Sequence, residues 1–235
     1  MNVMRSSGCL LVGYLCFVNS SWGQVANDGK TRLFILSGQS NMARFDPSIS
    51  FTPALKKEYP ADDLIVVKSA QGGQPIRRWY KGWKAPTGVD VKSGPIGDLY
   101  DLMMVKVREA TKGKTIDTVT FVWMQGESDA QRGTAEVYEE SLRGLVKQLR
   151  DDLKRPDLTV VIGRLSEYRT GQAGWDTVRA AQVKVAESDP LVGWVDTDNI
   201  NGGKAALHYT QKGYAEMGRR FAAKSIELLA KGKKE

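Results

Sequence analysis

Short, nearly continuous apolar runs alternate along this chain with longer segments whose apolar positions recur at helical spacing. The runs are Leu33 to Leu36, Leu64 to Val67, Thr118 to Met124, Leu158 to Ile162 and Val192 to Val195. Unbroken apolar character predicts strands covered on both faces, as in a parallel sheet. Between them, Leu99, Met103, Val107 and Ala110 mark one helix, and Tyr138, Leu142, Leu145, Leu149 and Leu153 mark the most regular one. A third carries Val178, Ala181 and Val185, and a last one Tyr214, Met217, Phe221, Ser225 and Leu228. Each set keeps a single helix face apolar. Alternation of this kind predicts one α/β domain, a three-layer doubly wound fold with a five-stranded parallel sheet. The Gly- and Trp-rich stretch from Gly72 to Gly97 is too long for a simple connection and is expected to wall a site.

The first residues follow another pattern. Arg5 precedes an apolar stretch from Cys9 to Val18, which is too short to cross a bilayer, and small residues follow at Ser21 and Gly23. This order predicts an export signal over residues 1–23, cleaved before Gln24, with cleavage after Ala26 as second choice. The remaining residues 24–235 are then a single domain. Both cysteines, Cys9 and Cys16, fall within the signal, so no disulfide is expected after cleavage. Export without disulfides suits a bacterial periplasm or secretion to the medium.

Charge adds a smaller constraint. Thirty-four basic against 27 acidic side chains give a net charge of +7, which draws a protein toward polyanions. No basic run is interleaved with aromatics, and Lys231 to Lys234 reads as a solvated tail, so no nucleic-acid partner is expected. After signal removal no membrane partner is expected either. One histidine and no cysteine beyond the signal leave only carboxylates as metal ligands. No metal or other cofactor is therefore expected. The oligomeric state is not legible.

Doubly wound folds bind ligands beyond the carboxyl ends of their strands, which directs attention to the residues after each run. After the first come Ser37-Gly38-Gln39-Ser40-Asn41-Met42, where Ser40 is either a presented nucleophile or a helix cap. Ala70-Gln71-Gly72-Gly73-Gln74 follow the second, either an ordinary turn or a backbone donor to a developing oxyanion. Trp123-Met124-Gln125-Gly126-Glu127-Ser128-Asp129 close the third, offering an amide and carboxylates, or only charges at a helix start. The next helix is expected later, near Thr134. After the fifth, His208 stands in Leu207-His208-Tyr209-Thr210, just before the last helix.

In this order the four pieces resemble the SGNH hydrolase superfamily, and within it the sialate O-acetylesterase-like and acetylxylan-esterase-like carbohydrate esterases. Gly-Gln-Ser-Asn-Met and Trp-x-Gln-Gly-Glu-Ser-Asp carry the resemblance, supported by Gly-Gly with Ile76 and Trp79 and by the C-terminal Leu-His-Tyr-Thr segment. The match runs from Leu33 to about Leu229. It implies a flavodoxin-like fold and removal of O-acetyl groups from carbohydrates such as sialic acid or plant and algal polysaccharides. Ser40 would be the nucleophile and His208 the base; Ser40 N–H, Gly73 N–H and the Gln125 amide would form the oxyanion hole.

One position departs from that pattern. The superfamily's aspartate three residues before the histidine is Ala205 here. Some relatives of this branch orient the histidine with the glutamate of Gln-Gly-Glu, which implies Glu127 as the acid, with Asp198 as alternative and a Ser–His dyad as a third arrangement. Trp79, Tyr80, Trp83 and Trp175 with Arg77 and Arg78 suggest a sugar-binding wall, and Arg164 lies at the site edge. Arg77, Trp79 and Arg164 are the substrate-binding candidates. Two other functions stay open: a carbohydrate-binding homologue without turnover, and an acyl esterase or thioesterase of another SGNH branch.

Overall fold

The computed structural model describes Met1 and residues 29–202 and 206–231. The export signal apart from Met1, both of its cleavage sites and Ala205 lie outside the described residues. Five parallel strands form the sheet: β1 (Thr31–Gly38), β2 (Asp63–Ala70), β3 (Thr118–Met124), β4 (Thr159–Gly163) and β5 (Val192–Val195). Their order is β2-β1-β3-β4-β5. The helices are α1 (Ser40–Arg44), α2 (Phe51–Glu58), α3 (Asp98–Thr111), α4 (Glu127–Gln131), α5 (Tyr138–Leu153), α6 (Ala173–Glu187) and α7 (Gln211–Lys231).

Alternate residues of each strand point to opposite faces, and two apolar clusters result. Leu33, Ile35, Val119, Phe121, Trp123, Val160 and Ile162 pack with α3, α5 and α6 on one face. Phe34, Leu36, Val122, Met124 and Val161 pack with α1, α2 and α7 on the other. This is the three-layer arrangement that the apolar runs predict. The α5 periodicity is read out directly: Tyr138, Leu142, Leu145 and Leu149 are all buried, and Lys154 ends the helix in the left-handed conformation. Two short helices carry too few apolar positions to announce themselves. In α2 only Phe51 and Leu55 are buried, and α4 occupies residues where no helix was expected before Thr134.

Chain reversal falls between β1 and β3, whose neighbouring crossovers pass to opposite faces of the sheet. The carboxyl ends of these two strands therefore open a crevice. Gly38 makes the exit from β1 possible. Its φ is +141°, and a Cβ there would lie 2.0 Å from the Met124 carbonyl oxygen. Gln39 N–H then bonds that same carbonyl at 3.0 Å, and α1 begins at once with Ser40 at the crevice. Among the described residues no helix is long and apolar enough to cross a membrane.

Candidate active site

A cavity of about 380 Å³ opens at this crevice, lined by Gln39, Ser40, Gly72, Gly73, Glu127 and His208, with Arg44 and Arg132 at its edges. Ser40 enters from the β1 turn and His208 from the loop before α7. His208 Nε2 lies 3.0 Å from Ser40 Oγ. A neutral imidazole at that distance can accept the serine proton as Oγ attacks a carbonyl. Burial and the nearby Arg44 charge lower the pKa of His208 below 6.5, which keeps the ring neutral at pH 7.

Two backbone segments present N–H groups at the cavity. As the first residue of α1, Ser40 has no intrahelical acceptor for its N–H. Gly73 has φ +68°, and a Cβ on it would meet nothing within 4 Å; it faces open space. Gly72 presses against Ser40, with its Cβ position 3.5 Å from Ser40 Cβ. Among the described residues no protein acceptor takes the N–H of Gly72 or Gly73.

Gln125 is placed differently from its expected role. It is fully buried, and its Nε2 donates to Asp129 Oδ2 at 2.6 Å and to the Gln74 carbonyl at 3.0 Å. Both amide protons are thus taken, and the side chain braces the Gly72–Gly73 loop instead of facing the cavity. Asp129 also accepts from Ile76 N–H and Thr134 Oγ1, which ties that loop to α4. The reason is local: α4 starts at Glu127, so Asp129 lies one helical turn from Gln125 and captures its amide.

Among the described residues neither acid candidate hydrogen-bonds to the imidazole. Glu127 Oε1 accepts from Asn41 Nδ2 at 2.7 Å, while Oε2 is buried without a partner. Burial pushes its pKa up to about 7, partly opposed by the Asn41 bond. Asn41 Nδ2 also donates to the Leu207 carbonyl at 3.0 Å, and Tyr214 donates to Asn41 Oδ1. Asn41 therefore joins the nucleophile helix, Glu127 and the His208 loop. Asp198 is held by Arg164 at 2.8 Å and by Arg179 at 2.8 Å. Burial would raise its carboxyl, but those two guanidinium groups outweigh burial and hold it below the usual carboxylate range.

The expected wall divides. Trp79 is 1% exposed and meets Trp123 edge-on at 5.2 Å, so it belongs to the core. Trp175 is buried too, with Nε1 bonded to the Ser166 carbonyl. Tyr80 packs against the same core, its ring beside Gly144. Arg78 forks onto Asp98 with two 2.6 Å bonds. Arg164 is clamped by Asp196 and Asp198 and lies over the Trp194 ring, so it is a structural cation. Arg77 and Trp83, by contrast, line a cavity. Residue type alone does not separate core tryptophan from wall tryptophan.

The structure also brings in residues that the sequence did not single out in this role. Gln39 Oε1 accepts from Ser128 N–H at 3.1 Å, and among the described residues its Nε2 has no protein acceptor. Arg44, Asn41 and Arg132 complete the surroundings. Gln39 and Asn41 flank Ser40 inside the Gly-Gln-Ser-Asn-Met motif, a signal of position that does not reveal their partners. Among the described residues no three His, Cys, Asp or Glu side chains gather as a metal site.

Residues 43–227 match a family described as carbohydrate esterase, sialic acid-specific acetylesterase. That stretch holds Glu127 and His208 and opens just after Ser40. A probable carbohydrate esterase from Arabidopsis thaliana is 29% identical over 176 residues, which are 73% of this chain and 60% of that protein. The chain thus spans about 60% of that relative's length. Among solved structures, an Arabidopsis thaliana protein superposes with a TM-score of 0.66 at 23% identity, covering 83% of this chain and 98% of its own. A carbohydrate acetylesterase from Xanthomonas citri gives 0.62 at 17% identity, covering 85% and 57%. A carbohydrate esterase of family 3 from Talaromyces cellulolyticus gives 0.53 at 12%, covering 86% and 99%. These likenesses establish the fold, and the family match, which takes in well over half of the sequence, establishes the kinship: this chain belongs to the carbohydrate esterase family of sialic acid-specific acetylesterases.

Proposed function

We propose that this protein is an exported serine esterase that removes O-acetyl groups from carbohydrates. The observation that carries the reading is the 3.0 Å contact between Ser40 Oγ and His208 Nε2 in a cavity with free backbone donors. Oγ attacks the acetyl carbonyl as Nε2 takes its proton. The N–H groups of Ser40 and Gly73 receive the negative oxygen of the tetrahedral intermediate. His208 then returns the proton to the departing sugar oxygen, leaving acetyl on Ser40. Water repeats the sequence and releases acetate.

The centre works in this reading as a Ser–His dyad. Glu127 acts at one remove, through Asn41, by holding the His208 loop. Glu127→Gln keeps an oxygen for Asn41 and is expected to lower kcat by less than about tenfold at pH 8. A carboxylate bonded to the ring would instead be worth about two to four orders of magnitude. A loss of a hundredfold or more would show that Glu127 reaches the imidazole during turnover.

The sign of the pH dependence follows from the lowered pKa of His208. The base form is lost as pH falls through that pKa, so kcat/KM should rise with pH to a midpoint below 6.5 and stay level to about pH 8. Proton NMR of the single imidazole should give the same midpoint. A midpoint above 6.5 would mean that an acidic group supports the imidazolium after all.

One observation favours a second reading, a carbohydrate-binding relative without turnover: no carboxylate bonds to His208 among the described residues. Acetate release from acetylated xylan, pectin and sialic acid decides between the two. Release that Ser40→Ala abolishes supports the esterase; sugar binding without release supports the binder.

A further inference from the structure

Beside the catalytic cavity lies a second one, of about 430 Å³, walled by Pro75, Arg77, Trp83, Asp90, Lys92 and Arg132. Arg132 borders both cavities, and its Nη2 donates to the Gly73 carbonyl at 3.0 Å, on the loop that faces Ser40. A substrate seated at Ser40 and extending past Arg132 enters this space. The Gly72–Gly97 stretch builds most of it.

The chemistry of the wall is distinctive. The Arg77 guanidinium lies over the Trp83 ring, 5.6 Å from its centroid, and Nη1 is held by the Lys92 carbonyl at 2.9 Å. Arg77, Lys92 and Arg132 line this cavity with one acid, Asp90, and the buried Asp129 feels the charge of Arg132 from behind the wall. Among the described residues none of the three cations forms an ion pair, whereas Arg78, Arg164 and Arg179 are all matched with aspartates. Arg44, which lines the catalytic cavity, also forms no ion pair among the described residues. Among the described residues Arg77 Nε and Trp83 Nε1 likewise have no acceptor. Cations without ion pairs around a cavity attract an anion, and a planar guanidinium fork matches a carboxylate. The Trp83 ring, packed against the core, carries the Arg77 guanidinium on its face and so holds that fork at the cavity.

We propose that this cavity is a subsite for a carboxylate-bearing sugar unit, a uronate adjoining the acetylated unit of an acidic polysaccharide. The proposal rests on the esterase reading for the placement of the acetyl group, but not for the binding itself. Its position argues for an oligomeric substrate, because a single sugar at Ser40 leaves the second cavity empty.

The test uses the full protein with three substrates: 4-nitrophenyl acetate, acetylated xylo-oligosaccharides and acetylated oligogalacturonides. The acidic oligomers should exceed the neutral ones in kcat/KM by about tenfold or more at low salt. The advantage should lie mainly in KM and shrink to within about threefold in roughly 0.5 M NaCl. Arg77→Gln should erase most of it, raising KM for the acidic oligomers while the neutral ones change little. Lys92→Gln, at an exposed residue whose side chain makes no ion pair, should act in the same direction and guards against a folding defect in the first variant. Equal rates on the two oligomers, or equal losses in the variants, would overturn the subsite.

If none of the three substrates releases acetate, the esterase reading fails and the subsite is decided by binding alone. Ser40→Ala protein, titrated calorimetrically, should bind non-acetylated trigalacturonate at least about tenfold more tightly than xylotriose. No preference would end the proposal, and tighter binding of a sulfated trisaccharide would overturn the carboxylate assignment.

Discussion

Ser40→Ala is expected to lower kcat for acetate release by about five to six orders of magnitude, with little change in KM. The loss is large because Oγ is held in contact with a base, His208 Nε2, at 3.0 Å. Ser40 is half-buried at the cavity and the substitution removes only Oγ, so the variant should fold and melt like its parent. Steady-state release from an acetylated oligosaccharide, with a melting curve alongside, checks both parts. Activity within a hundredfold of the parent would point to another nucleophile.

His208→Asn should cost almost as much, about four to six orders of magnitude. Without the imidazole, the serine hydroxyl keeps its proton at neutral pH and the departing sugar oxygen has no acid. Since the two residues act as a unit, the double variant should be no worse than either single one. Additive losses in that cycle would mean that His208 serves some step apart from Ser40. His208 is the chain's single histidine, so no neighbouring imidazole can substitute.

Most of the architecture was legible because parallel strands buried on both faces must be apolar throughout. The five runs in the sequence became β1 to β5, and helical spacing located α3, α5, α6 and α7. The short helices escaped because α2 has two apolar anchors and α4 has almost none of its own. That omission propagated into the site. With α4 unseen, nothing revealed that Asp129 would sit one turn from Gln125 and take its amide away from the cavity. Long-range partners were equally hidden: Arg164 meets acids that follow β5, and Asp198 meets Arg179 of α6. Trp79 and Trp83 illustrate the same limit, since four residues separate a core side chain from a cavity wall. Ser40 and His208 were readable because motifs at strand ends fix position, and position at the crevice is what brings them together.

Covalent trapping tests the central claim most directly. The protein is incubated with a fluorophosphonate probe, digested, and the adduct located by mass spectrometry of the peptides. An activated serine beside a neutral imidazole is expected to react, with one adduct per chain, on Ser40, and the His208→Asn variant is expected to react far more slowly. An adduct on another residue, or an unmodified Ser40 in protein that releases acetate, would contradict the assignment.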